Sequence, residues 1–356
     1  MSFTKEHSLL IEKASTSRKG EVDFNNLVFG KTFTDHMFEC DFKDGAWQKP
    51  TIRPYGPLHI YPASKVFHYG QAVFEGMKAY KDQKGSLFLF RPKENFKRIN
   101  ISSKRLAIPE FPEALFFEAL ETLLTLDKDW AQEGVGNSLY IRPFVIANEN
   151  CVSASPSNEY KFMIIISPVS AYYSGELKVV IAEHYSRSAD GGVGFAKAAG
   201  NYAAQFYPTN LAKEKGFQQV IWTDSNTHQY LEEAGTMNVF FRIDDTLITA
   251  PTSDRILDGV TRKSVIALAE RDGIKVDVRK LTVTELVDAA KEGTLKEIFG
   301  AGTAAVISPV KAFSFKDVLY ELPEISNSYS SRFKKELLEI QYNLTEDPFG
   351  WRYKVV

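Results

Sequence analysis

The stretch EEAGTMNVFF, Glu232 to Phe241, places two acids before a small-residue turn and a β-rich run. The run MNVFFRI, Met237 to Ile243, is predicted to be a strand because aromatic and β-branched residues dominate it. A carboxylate at the edge of such a strand, directed into a cleft, can hold a proton on a heterocyclic nitrogen. The alternative is a solvated acidic pair beside a turn, since acids are mostly exposed.

Strand and helix patterns alternate on both sides of this stretch. Apolar residues at i, i+4, i+7 and i+8 predict a helix through Phe116, Leu120, Leu123 and Leu124, and a second helix is predicted over Thr261 to Arg271, ending at Gly273. The pattern indicates an α/β or α+β fold. Three further strands are predicted: KFMIIISPV (Lys161 to Val169), LKVVIAE (Leu177 to Glu183) and QQVIWTD (Gln218 to Asp224).

The length of 356 residues favours two domains. The segment SPVSAYYSGE, Ser167 to Glu176, ends a strand in proline and small or polar residues, which is typical of a boundary. We therefore predict an N-terminal domain over residues 1–168, an interdomain loop over 169–176 and a C-terminal domain over 177–356. A lid movement around Tyr172 and Tyr173 is a further hypothesis.

Composition excludes several classes of protein. Lys+Arg 43 against Asp+Glu 45 gives a net charge of −2, and no basic face or long run of like charge indicates nucleic acid or an anionic membrane as partner. The longest apolar stretch, around Phe162 to Ile166, is far too short for a membrane span. Met1 to Lys13 contains no apolar core of a signal peptide, so a cytoplasmic location is expected.

Metal and disulfide chemistry are also not expected. Cys40 and Cys151 are the two cysteines, and they are predicted to be reduced thiols. His36 and Cys40 are the closest histidine and cysteine, and they lack the further neighbours that a zinc site requires.

A single lysine, Lys197, lies among small and apolar residues in GGVGFAKAAGNYAAQ, Gly191 to Gln205, and Tyr202 follows it five positions later. Desolvation disfavours the ammonium form, which is the condition that an imine-forming or proton-shuttling amine requires. The alternative is a lysine whose stem crosses apolar surface and whose amine reaches water.

Two segments could bind anions through the backbone. In ILDGVTRKSVIALAERDG, Ile256 to Gly273, a glycine before a helix leaves the first N–H groups, those of Val260, Thr261 and Arg262, pointing outward. The alternative is an ordinary helix start capped by Asp258 or Gly259.

The second segment is FGAGTAAVISPV, Phe299 to Val310, in which Gly300 and Gly302 would let an anion approach the backbone near Thr303. Neither a Walker loop nor a dinucleotide fingerprint fits this segment. A desolvated lysine, a buried acid, a tyrosine and two anion sites together match what pyridoxal phosphate requires.

The residues also resemble a known family. Glu233, Thr236, Met237 and Asn238, followed by Leu247, Thr249, Leu257, Gly259, Val260 and Arg262, resemble the signature of the class IV, or fold type IV, pyridoxal-phosphate aminotransferases. Within that class, six segments are similar to branched-chain amino acid aminotransferases: FGKTFTDHM (Phe29 to Met37), HYGQAVFEGMKAY (His68 to Tyr80), LFRPKENFKRI (Leu89 to Ile99), SLYIRPF (Ser138 to Phe144), KAAGNY and EEAGTMN.

The resemblance implies a fold like that of D-amino acid aminotransferase, with a small N-terminal α/β domain and a larger pseudo-barrel domain that binds the cofactor. It implies transfer of the amino group of L-leucine, L-isoleucine or L-valine to 2-oxoglutarate by a homodimer. One methylene is worth only about 1–3 kcal/mol in such a pocket, so all three amino acids should be accepted. The alternative on the same fold is a D-amino acid aminotransferase or an aminodeoxychorismate lyase.

The resemblance also implies residue roles. Lys197 would be the Schiff-base lysine and proton carrier, Tyr202 would bond the phenolic oxygen, and Glu233 would bond the ring nitrogen. The remaining cofactor contacts implied are Arg98, Thr236, Val260, Thr261 and Thr303, and the implied substrate contacts are Phe29, Tyr69, Tyr140, Arg142, Thr303 and Ala304. Animal members carry a redox pair of cysteines where this sequence has Ala305 and Ser308, so no thiol switch is expected there.

Overall fold

A computed structural model describes residues 8–170 and 177–355. Most of the predicted interdomain loop, including Tyr172 and Tyr173 with the lid hypothesis, lies outside the described residues. The described chain divides into two compact units, one made of residues 8–170, 196–199 and 339–355, and the other of residues 177–195 and 200–338.

Strands account for most of both units. In chain order they are β1 (Leu10–Ile11), β2 (His36–Lys43), β3 (Ala46–Trp47), β4 (Thr51–Pro54), β5 (Ala72–Phe74), β6 (Met77–Lys81), β7 (Leu87–Phe90), β8 (Ser138–Ala147), β9 (Tyr160–Val169), β10 (Leu177–Ile181), β11 (Gln219–Thr223), β12 (Tyr230–Ala234), β13 (Met237–Ile243), β14 (Thr246–Thr249), β15 (Val276–Val278), β16 (Leu281–Thr282), β17 (Leu295–Gly302), β18 (Val306–Phe315), β19 (Val318–Glu321) and β20 (Arg352–Lys354).

The helices of the described residues are fewer. They are α1 (Lys65–Tyr69), α2 (Pro92–Arg105), α3 (Glu113–Leu126), α4 (Ala199–Glu214), α5 (Val260–Arg271), α6 (Val283–Glu292) and α7 (Tyr329–Gln341), with single 3₁₀ turns at Lys19–Glu21, Phe24–Asn26 and Lys128–Trp130.

The first unit is built on a ten-stranded sheet in the order β1-β4-β2-β9-β8-β6-β7-β20, with β3 beside β2 and β5 beside β8. Burial alternates along β8, so that Ile141 and Val145 enter the apolar core while Tyr140 and Arg142 lie on the opposite face. Phe116, Leu120, Leu123 and Leu124 of α3 are all fully buried against this core, which confirms the predicted helix.

The second unit is also built on a ten-stranded sheet, and six of its strands form a closed ring in the order β13-β17-β18-β10-β11-β12. The hairpin between β12 and β13 closes the ring through the pairs Glu233 with Asn238 and Ala234 with Met237. The stretch EEAGTMN is therefore the closing turn of this sheet. The strands predicted at Lys161–Val169, Leu177–Glu183, Gln218–Asp224 and Met237–Ile243 and the helix predicted at Thr261–Arg271 are confirmed within one or two residues at each end.

Two terminal segments differ from expectation. Residues 339–355 belong to the first unit because β20 pairs with β7, whereas the sequence places them with residues 177–338. Arg18 was expected to lie in a disordered lead, and this is wrong: its Nη2 donates to the Thr34 carbonyl oxygen at 2.5 Å and its backbone N–H to Asp35 Oδ1 at 2.8 Å. In both cases the partner is distant in sequence, so no local pattern signals the contact.

Within the two described ranges, no helix is long and apolar enough to cross a membrane.

Candidate active site

Three of the predicted substrate residues meet on the outer face of β8. Tyr140 and Arg142 are two positions apart on this strand and therefore share a face. Arg142 Nη2 donates a hydrogen bond to Tyr140 Oη at 3.0 Å, and the ring of Phe29 packs edge-on against Tyr140 with 4.9 Å between centroids. This face thus combines aromatic surface with a fixed cation.

Phe74, which sequence reasoning missed, connects this group to Lys197. The guanidinium carbon of Arg142 and the Nζ of Lys197 each lie 4.6 Å from the centre of the Phe74 ring. The backbone N–H of Phe74 donates to the carbonyl oxygen of Lys197 at 3.1 Å, and the N–H of Lys197 donates to Ser102 Oγ at 2.9 Å. The Lys197 segment is therefore held against the end of β5, and its half-buried amine faces the aromatic group.

Two neighbours on β6 shape the same face. A β-carbon at Gly76 would overlap Tyr140 Oη, so glycine is required for the tyrosine to lie across the strand. Lys78 is paired directly with Tyr140 across the strands and is 8% exposed. Burial lowers the pKa of Lys78 to about 8.

Arg98 forms a buried ion pair that the sequence did not predict. Its Nε and Nη2 contact the two carboxylate oxygens of Glu75 at 2.7 and 2.9 Å, and Asn95 Nδ2 donates to Glu75 Oε2 at 2.8 Å. Burial by itself would raise the pKa of Glu75, but the charge and hydrogen bonds of Arg98 and the charge of Lys197 lower it overall. Glu75 stands in the run FEGMKAY, and an acid flanked by apolar strand residues was the available signal.

Tyr69 lies at the end of α1 and is 47% exposed. Its hydroxyl donates to the carbonyl oxygen of Val152, in the connection between β8 and β9.

Glu233 is the central acid of the second unit. It is 2% exposed, and Glu232 is 3% exposed, so the solvated-pair alternative does not hold. Glu233 Oε1 accepts hydrogen bonds from Asn238 Nδ2 and from the backbone N–H of Leu257, each at 3.0 Å. Its Oε2 forms an ion pair with Arg187 Nε at 2.9 Å, and Arg187 was not singled out from the sequence.

Helix α5 begins at a site suited to an anion. Its N-cap is Gly259, with no side-chain hydrogen bond to the first turn, and Val260 and Thr261 are buried at 6% and 8% exposure. A helix N-terminus carries a partial positive charge on its outward N–H groups. A β-carbon at Gly259 would overlap Asn238 Oδ1, so the glycine also allows the helix to start against the Glu233 hairpin.

The second predicted anion segment is the turn between β17 and β18, which contains Thr303 and Ala304. The structure gives a different reason for its first glycine. A β-carbon at Gly300 would come within 2.6 Å of Met237 Cε, so Gly300 makes room for this methionine. The anion approach that the sequence attributed to Gly300 is replaced by side-chain packing.

The two remaining predicted cofactor residues also lie in the second unit. Tyr202 is half-buried in the first turns of α4. Thr236 is exposed in the turn between β12 and β13, three residues from Glu233.

Comparison with known proteins defines the class. The model of the family described as "Amino-transferase class IV" matches residues 72–313, a range that includes Lys197, Glu233 and the start of α5. A half-buried lysine, a buried hydrogen-bonded acid and an uncapped helix start are the features that an aminotransferase of this class uses.

Curated relatives place the chain more closely. It is 43% identical to Branched-chain-amino-acid aminotransferase 2 of Bacillus subtilis, over 99% of this chain and 98% of the relative. It is 40% identical to the Branched-chain-amino-acid aminotransferase of Mycolicibacterium smegmatis, over 92% and 91% of the two chains. The chain belongs to the branched-chain-amino-acid aminotransferase family.

Solved structures agree in fold. The branched-chain amino acid aminotransferase of Escherichia coli is 25% identical with a TM-score of 0.73, covering 90% of this chain and 99% of that one. A second branched-chain amino acid aminotransferase, whose source is abbreviated T.th., was solved in complex with N-(5'-phosphopyridoxyl)-L-glutamate; it is 26% identical with a TM-score of 0.71, covering 89% and 98%. The fold is therefore that of the fold type IV enzymes, and the cofactor is pyridoxal phosphate.

The residues present fit this cofactor. The Nζ of Lys197 supplies an amine, the buried carboxylate of Glu233 can accept from a ring nitrogen, and the glycine-capped start of α5 can hold a phosphate.

Proposed function

We propose that this enzyme reversibly transfers the amino group of L-leucine, L-isoleucine or L-valine to 2-oxoglutarate, giving branched 2-oxo acids and L-glutamate. The names of the relatives support this reaction. The observation that carries it is the packing of Arg142 over Phe74 and against Tyr140 Oη, which offers an aliphatic side chain ring surface and offers a carboxylate a cation.

One pocket must accept both kinds of side chain, because both substrates use it in turn. Phe29, Tyr69 and Tyr140 are proposed to contact the aliphatic group, and Tyr69 and Arg142 the second carboxylate of 2-oxoglutarate. A guanidinium binds a carboxylate through a planar pair of N–H donors, so Arg142 suits this role. The substrate's own carboxylate is proposed to bind at Thr303 and the amide of Ala304.

Pyridoxal phosphate, when bound, supplies an electron-withdrawing ring that stabilises negative charge at the substrate Cα. Lys197 is proposed to hold the cofactor and to carry the proton that leaves Cα. Glu233 is proposed to accept a hydrogen bond from the ring nitrogen, and Tyr202 to donate to the phenolic oxygen, with Thr236 nearby.

The phosphate is proposed to bind at Arg98, the amides of Val260 and Thr261, and Thr303. Arg98 contacts Glu75 through Nε and Nη2. A guanidinium carries five N–H donors in a planar fork, so it can bind a carboxylate and a phosphate oxygen at the same time.

The enzyme is proposed to be a cytoplasmic homodimer. A group of exposed apolar side chains on and around α1 supports a second copy as partner: Tyr61 and Phe67 are 68% and 63% exposed, and Val152 is 60% exposed. Exposed apolar groups of this kind mark association surfaces.

Transamination assays with 2-oxoglutarate test the reaction. L-leucine, L-isoleucine and L-valine should each yield glutamate, and D-alanine should not, because mirror-image substrates present the Cα proton to opposite sides of a pocket. Turnover of D-alanine without turnover of L-leucine would favour the D-amino acid alternative. Lys197→Ala should abolish turnover and still bind pyridoxal phosphate without a covalent link.

A further inference from the structure

Arg187 is fixed beside Glu233 by contacts that leave its guanidinium little freedom. It is 7% exposed, its Nη1 donates to the carbonyl oxygens of Gly194 and Arg255 at 3.1 and 2.9 Å, and its Nη2 donates to Gly194 at 3.2 Å. Because these acceptors are backbone atoms, the position of the cation is set by the fold.

The fixed cation faces one oxygen of Glu233, while Asn238 and the Leu257 amide face the other. Donors on both oxygens fix the plane of a carboxylate, which offers about four lone-pair positions. A positive charge at 2.9 Å also favours the ionised form of the acid. The arrangement therefore sets both the orientation and the basicity of Glu233.

We propose that Arg187 is a positioning residue that keeps Glu233 a carboxylate and thereby keeps the proton on the cofactor's ring nitrogen. The inference rests on the role proposed for Glu233. Without the guanidinium, Glu233 becomes more basic, and the proton shared between Glu233 and the ring nitrogen moves toward the carboxylate. A ring without that proton withdraws electrons less strongly, so removal of the Cα proton becomes slower.

Other charges around Glu233 define the control. Arg262 interacts with it electrostatically, and Glu232 is its neighbour in the chain. Arg255 forms an ion pair with Glu232, Nε to Oε1 at 2.5 Å, at a burial similar to that of Arg187. Arg255→Gln therefore removes a buried cation of the same kind that pairs with the adjacent acid.

The test is ¹⁵N NMR of the holoenzyme, reconstituted with pyridoxal phosphate labelled at the ring nitrogen. The wild-type signal should be that of a protonated ring nitrogen. Arg187→Gln should move it toward the unprotonated position, whereas Arg187→Lys, which keeps a positive charge, and Arg255→Gln should leave it near the wild-type position. The kcat of Arg187→Gln with L-leucine should fall by about 10-fold or more, with KM changed by less than about twofold.

Glu233→Gln separates the two levels of the proposal. If the wild-type ring nitrogen is unprotonated, or if Glu233→Gln leaves its signal unchanged, the role of Glu233 fails. If Glu233→Gln shifts the signal and Arg187→Gln does not, only the role of Arg187 is overturned. Should Arg187→Gln not fold, Arg187→His serves instead: its ring-nitrogen signal should change as the histidine loses its charge near pH 6.5, and a constant signal would contradict the inference.

Discussion

The Glu75–Arg98 pair sets how a single residue supports the site. Both side chains are buried and bonded through two contacts. Removing one partner of a buried ion pair leaves an uncompensated charge, which is more costly than the pair itself is stabilising. The carboxylate of Glu75 is thus needed for Arg98 to remain in place.

Glu75→Gln is expected to lower the free energy of unfolding by about 3–5 kcal/mol, as measured by urea denaturation. Glu133→Gln is the control, because Glu133 pairs with Lys81 at 3.3 Å but is 75% exposed, and exposed pairs contribute about 0–1 kcal/mol. Equal effects of the two substitutions would contradict the structural role of Glu75.

Lys78 gives a prediction about pH. Its pKa in the folded protein is about 8, below the ordinary value near 10.4 of the unfolded chain. Between these values the unfolded state binds more protons, so the free energy of unfolding should rise with pH. Lys78→Met should lose this rise between pH 8 and 10, whereas the exposed Lys93→Met should keep it; parallel profiles for Lys78→Met and wild type would refute the shift.

At the scale of elements, the β12–β13 hairpin and the start of α5 are joined through one side chain. Asn238 Nδ2 donates to Glu233 and to the carbonyl oxygen of Leu257 at 3.0 and 2.9 Å. The acid and the helix start are therefore placed by the same asparagine, and Gly259 leaves the space that this asparagine occupies.

Gly259→Ala should displace Asn238, since the added β-carbon overlaps its Oδ1. We expect a loss of about 1–3 kcal/mol in unfolding free energy and weaker binding of pyridoxal phosphate, measured by denaturation and by cofactor titration. Gly20→Ala adds a β-carbon in open space and should change neither. Unchanged cofactor affinity in Gly259→Ala would show that the hairpin and the helix start are not coupled in this way.

At the scale of the whole molecule, the two units differ in what closes their sheets. The sheet of the second unit closes on itself through the β12–β13 pairing, whereas the sheet of the first unit is extended at one edge by β20 from the far end of the chain. Both arrangements satisfy edge strands, which otherwise invite association.

The proposed homodimer is tested with Phe67, which is 63% exposed on α1. Phe67→Asp should convert the assembly to monomers in sedimentation velocity, because association would bury the new charge. Val318→Asp, which changes a 50% exposed valine on β19, should remain a dimer. A monomeric wild-type protein, or a dimer that survives Phe67→Asp, would contradict the proposed surface.

The sequence alone determined the elements whose signals are local. Alternating or helical periodicity predicted α3, α5 and four strands, because neighbouring residues decide which face is buried. It also indicated the class of enzyme, since the spacing from Glu233 to Arg262 reflects one hairpin and one helix start. The chemistry of Lys197, Glu233 and the α5 amides follows from residue types within these segments.

Only the tertiary structure decided the partners of these residues. Arg187 lies 46 positions before Glu233 in the chain, Glu75 lies 23 before Arg98, and β20 pairs with a strand near residue 90. Contacts of this kind depend on strand order and on which charges are buried together, and neither is encoded in a local pattern. A buried charge must find its counterpart wherever the fold places one, and that is why the supporting residues emerged only from the structure.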